Sequence, residues 1–105
     1  MNATVEMKRV RDYLRYQVKM INKDPFLAKA ANRISARIVK WNKREHSALI
    51  CIRDVEAEYT KWNTADCCWL WVYTWHSANG YDHWKWEIWQ ELNNLVIKIL
   101  HSETI

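Results

Sequence analysis

Residues 25–62, PFLAKAANRISARIVKWNKREHSALICIRDVEAEYTKW, decide the fold. Leu27, Ala30, Ala31, Ile34, Ile38 and Trp41 recur there at helical spacing. Lys29, Arg33, Arg37, Lys40, Lys43 and Arg44 fall opposite them, inside a sector of about 120° at 100° per residue. Asp24 suits a helix cap and Pro25 suits the first helical position, so the pattern predicts a helix over 25–45. Further on, Leu49, Ile52, Val55, Tyr59 and Trp62 share one side of a helix over 47–62. The run 49–52 also suits the start of a strand, but Glu56, Ala57, Glu58 and Lys61 continue the helical pattern.

Upstream, Val10, Leu14, Val18 and Ile21, joined by Met7, form the buried stripe of a helix predicted over 4–22. Lys8, Arg11, Arg15 and Lys19 lie within roughly 80° on another side of it. Downstream, Leu92, Leu95, Val96, Ile99 and Leu100 define a C-terminal helix over 90–102.

Between them lies an aromatic segment, 67–89, with six tryptophans from Trp69 to Trp89. Asn79-Gly80 is a two-residue hairpin signal, since both residues tolerate positive φ. Folding there sets Trp75 against Trp84, Tyr73 against Trp86 and Trp71 against Ile88, giving one aromatic face and one polar face. The rival reading ends a helix at Gly80 and caps the last helix with Asp82.

One Gly and one Pro in 105 residues also favour helix over sheet. The expected fold is therefore a single domain over 1–105, mostly α within an α+β class. It has three to four amphipathic helices and one Trp-rich β-hairpin; an all-α fold of five helices is the alternative.

Charge is divided along the chain. Residues 1–53 carry a net +9 and residues 54–105 a net −5, for +4 in total. The first half owes its excess to the two basic stripes, and lysine and arginine clustered on one surface are what phosphate neutralisation requires. Like charges four residues apart repel on a helix, so such a stripe favours an anionic partner. The bland alternative is a solvated face.

Six tryptophans in one short segment exceed what one small core absorbs. About four are expected inside, with Trp84 and Trp86 exposed as protein contacts.

Other chemistry is weakly represented. Cys67, Cys68, His76 and His83 supply metal-ligand types, but adjacent cysteines lack the separation of zinc knuckles. Cys67, His76 and Asp82 supply the types for a nucleophile, base and orienter with nothing to fix their geometry. The reading is accordingly no enzyme, no metal and no cofactor.

Three cysteines, two of them adjacent, favour a reduced, cytoplasmic chain. No signal-peptide pattern is expected, and the longest apolar run, about nine residues, is too short to cross a bilayer as a helix. The expected function is a small binding protein. It docks on nucleic acid or a nucleoprotein complex through Lys8, Arg11, Arg15, Lys19, Lys29, Arg33, Arg37, Lys40, Lys43 and Arg44. The alternative is an inhibitor or adaptor of the kind phages and mobile elements use, binding an acidic or nucleic-acid-binding surface of a partner protein.

Overall fold

The structure, a computed structural model, describes residues 3–30, 33–55, 67–74, 77–78 and 81–103. Helix α1 (Ala3–Lys23) leads through a 3-10 turn (Ala28–Ala30) into strands β1 (Ile34–Asn42), β2 (Ser47–Asp54) and β3 (Cys67–Tyr73). A short ribbon of β4 (Ser77–Ala78) and β5 (Tyr81–Asp82) then delivers the chain to α2 (His83–Glu103). The first three strands form an antiparallel sheet in the order β1-β2-β3. Helix α1 packs over β1, and α2 over β2 and β3, so both helices cover the same sheet face.

This is an α+β fold with two long helices. It overturns both the expected three to four helices and the all-α, five-helix alternative. The helix expected over 25–45 is a 3-10 turn followed by β1. The helix expected over 47–62 is β2 across its first eight residues, and 56–66 lie outside the described residues.

A β-bulge explains why β1 imitates a helix. Ile38 pairs with Ile50 and Lys40 with Leu49, which leaves Val39 as an extra residue. Ile34, Ala36 and Ile38 therefore point inward at strand spacing, and the bulge returns Trp41 to that same side. Inward positions 34, 38 and 41 then carry the i, i+4, i+7 spacing of a helix face. The segment's Ile, Val and Trp content suits a pleated surface. Central β2 buries Ala48, Ile50 and Ile52 completely beneath the helices, and Cys51 and Ser47 on its other face are nearly fully buried as well.

The aromatic segment divides between the two sequence readings. Ser77 pairs with Asp82 and Ala78 with Tyr81, the register that a turn at 79–80 demands. Residues 75, 76, 79 and 80 lie outside the described residues. The long aromatic ribbon does not form: Tyr73 pairs with Ser47, Trp71 with Leu49, and the chain is helical from His83. The reason is burial, because Trp84, Ile88, Leu92, Val96 and Ile99 align on one helical face and fill the core beneath β2 and β3.

Trp84 is only 1% exposed, which corrects the expectation that it reaches a partner. Its ring meets Tyr13 edge to face at 5.4 Å, with the Arg9 and Lys85 side chains over it. On α1, Val10, Leu14 and Ile21 are buried as expected, whereas Val18 is half-buried and Met7 exposed.

A polar latch ties α1 to the sheet. The Thr74 hydroxyl donates to buried Glu6 at 2.8 Å, and the Thr74 N–H donates to the His46 carbonyl at 2.9 Å. An ionised carboxylate only accepts, so His46 Nδ1–H donates to Glu6, at 3.0 Å. That contact anchors His46 in the left-handed region at φ 52°, a backbone cost for a residue with a Cβ. Burial raises the Glu6 pKa, but hydrogen bonds from Thr74 and His46 and the His46 charge outweigh it and leave the carboxyl below its ordinary 4.5.

A depressed folded-state pKa gives stability that is present above the unfolded value and lost as pH falls through the folded one. Glu6→Gln is expected to cost about 1.5 kcal/mol at neutral pH. In thermal melts, its gap from the parent should close as pH drops below 4.5. A gap that does not change with pH would remove the carboxylate from this role.

Candidate nucleic-acid interface

The expected basic stripe on a second helix does not exist, yet two of its cations, Arg37 and Lys40, still meet those of α1. Edge strand β1 lies against α1, and a groove of about 530 Å³ runs between them. Lys8, Arg11 and Arg15 line it from the helix, and Arg37 and Lys40 from the strand. Among the described residues no acidic side chain lines it. Leu14, Ile38 and Trp41 give it apolar walls, and the buried Trp41 indole nitrogen has no acceptor among the described residues. All five cations are exposed. Arg11 lies 3.5 Å from Asp12 at the surface, a pairing of little energetic weight.

The remaining candidates are placed elsewhere. Lys19 is exposed on α1 beyond the groove, and Lys43 and Arg44 are exposed in the β1–β2 turn, where the Asn42 side chain accepts the Arg44 and Glu45 N–H groups. The Lys29 side chain lies outside the described residues. Arg33 is structural: its guanidinium grips Asp54 through two bonds, at 2.8 and 3.3 Å, and joins the start of β1 to the end of β2. Both of those side chains are mostly shielded from solvent, so Arg33 does not belong with the exposed cations.

Strand register shows a second surface that the sequence did not suggest. On the sheet face away from the helices, Arg37, Cys51 and Trp69 form one cross-strand row, and Lys40, Leu49 and Trp71 the next. Asn42, Ser47 and Tyr73 complete the series. Trp69 is 57% exposed, and Trp71 and Tyr73 are each about two-fifths exposed. The available signal was the alternation Trp69, Trp71, Tyr73, which marks one face of a strand. A hairpin at 79–80 sets Tyr73 against Trp86 and Trp71 against Ile88, whereas their partners are Ser47 and Leu49.

Trp86 is exposed as expected, and so is Trp89. With Met20 and Phe26, Trp89 borders a separate hollow of about 560 Å³, where Phe26 is 85% exposed. Cys68 donates to Glu91 at 3.2 Å, while the Cys67 and His76 side chains lie outside the described residues. No described helix is long and apolar enough to cross a membrane. No family model matches this chain, and neither curated proteins nor solved structures yield a match.

Proposed function

We propose that this chain is a non-enzymatic binding protein that holds nucleic acid, free or within a nucleoprotein complex, along the groove between α1 and β1. One observation carries the reading: helix α1 and strand β1 bring Lys8, Arg11, Arg15, Arg37 and Lys40 to one groove that no acidic side chain lines among the described residues. Such clustering opposes folding through like-charge repulsion and is offset when phosphates enter. Their binding releases condensed counterions, so affinity must fall steeply with salt.

The test is a titration of a labelled oligonucleotide at several salt concentrations. Five phosphate contacts give a slope of log K against log salt of about −3.5 for a single strand and about −4.5 for a duplex. A flat response would refute the reading.

The hollow bordered by Met20, Phe26 and Trp89 supports a second reading, as an adaptor or inhibitor that docks on a protein. A partner kept after nuclease treatment and lost on Phe26→Ala with Trp89→Ala is its expected signature. A partner lost on nuclease treatment alone favours the first reading.

A further inference from the structure

The outer face of the sheet has a composition that the groove alone does not explain. Eleven described side chains point that way: Ser35, Arg37, Lys40 and Asn42 on β1, then 47, 49, 51 and 53 on β2, then 69, 71 and 73 on β3. None is acidic. One edge carries cations and the other carries exposed aromatic rings. Alternate residues on a strand stand about 7 Å apart, so Trp69, Trp71 and Tyr73 form an evenly spaced row. The cations lie two strands away, about 10 Å across the sheet and within reach of long side chains.

Exposed aromatics in a contiguous row call for a partner with flat apolar groups. The flanking cations call for that partner to be anionic, and the two demands together describe a polynucleotide. A duplex hides its base faces in its own stack and can use only the cations. An unpaired strand offers a π-face and a phosphate at every residue.

We infer that the outer sheet face is a stacking platform for single-stranded nucleic acid. Bases lie on Trp69 and Trp71, Tyr73 extends the row, and phosphates reach Arg37 and Lys40. The inference rests on reading the cationic groove as a nucleic-acid surface and names the form of nucleic acid it takes. Arg37 and Lys40 belong to both surfaces, so a strand on the sheet continues over the β1 edge into the groove. Stacking uses chemistry that DNA and RNA share and does not depend on the sugar.

The experiment uses the full chain with three probes of about a dozen nucleotides: oligothymidylate, oligouridylate and a blunt DNA duplex. Tryptophan fluorescence reports stacking, and anisotropy of a labelled strand reports affinity. Either single strand should quench the fluorescence and bind more tightly than the duplex. Trp69→Ala and Trp71→Ala should each weaken single-strand binding about tenfold, leaving duplex binding and the salt slope nearly unchanged.

Trp69→Phe with Trp71→Phe keeps stacking surfaces and should retain most of the affinity while losing most of the quench. Circular dichroism establishes that each variant folds. Equal binding of duplex and single strands, with the alanine variants unaffected, overturns the platform and leaves the cationic groove standing. Failure of all three probes to bind overturns both.

Discussion

Trp84→Ala is expected to lower the unfolding free energy by about 4 kcal/mol, the largest effect of any single truncation in this chain. The side chain is almost fully buried where the first turn of α2 meets α1, packed against Tyr13 with Arg9 and Lys85 over its ring. Removing the indole leaves a cavity lined by groups that cannot collapse into it, because α1 and α2 are both held to the sheet. It also strips the packing partner from an ion pair, since Arg9 reaches Asp82 at 2.6 Å beside the same ring.

Total stability for a domain of this size is about 5 to 15 kcal/mol, so the variant should sit near the edge of folding. A melting temperature lower by roughly 15 °C or more is the expected reading. Trp84→Phe should fall between the two, since the buried indole nitrogen has no acceptor among the described residues and its loss removes no hydrogen bond. A cost below about 1 kcal/mol would place Trp84 at the surface, where a long aromatic hairpin would have put it.

The second large effect concerns binding. Reversing Arg37 and Lys40 together to Glu should weaken nucleic-acid affinity roughly 100-fold at moderate salt. Each charge-assisted contact contributes at least about 1.5 kcal/mol, and two lost contacts amount to two factors of ten. Repulsion from the new carboxylates adds to the loss.

Both side chains are exposed, so the melting temperature should move little. The salt slope should also become shallower by about 1.4, the share of two phosphates on a single strand. Arg33→Glu is a poor control despite its place in the same basic run, because it breaks the grip on Asp54 and damages the fold. Reversal of Lys43 and Arg44, exposed outside the groove, is the better one and should change affinity far less.

Helical periodicity was sound wherever one helix face meets the core without interruption. That holds for Val10, Leu14 and Ile21 on α1 and for Leu92, Val96 and Ile99 on α2. It misled at β1, where a single extra residue at Val39 converts strand spacing into helix spacing. The hairpin signal was sound over two rungs and then lost to burial, since the residues after Asp82 bury more as a helix than as a ribbon edge. The cations of the groove all belong to the two basic stripes legible in the sequence. Their convergence was not legible, because it depends on α1 lying over an edge strand rather than beside another helix. The aromatic row on β3 was hidden for the same reason.

The sequence by itself determined the two terminal amphipathic helices, the pairing of Ser77 and Ala78 with Asp82 and Tyr81, and the excess of positive charge in the first half. These follow from neighbours a few residues apart, so local spacing suffices to read them. Only the tertiary structure decided that residues 34–54 form two strands, that Trp84 goes inside while Trp69 and Trp71 stay outside, and that Lys8, Arg11, Arg15, Arg37 and Lys40 share one groove. Each of those outcomes rests on pairing between distant segments. A strand has no hydrogen-bond partners of its own, and a sheet face acquires an inside only when something packs on it.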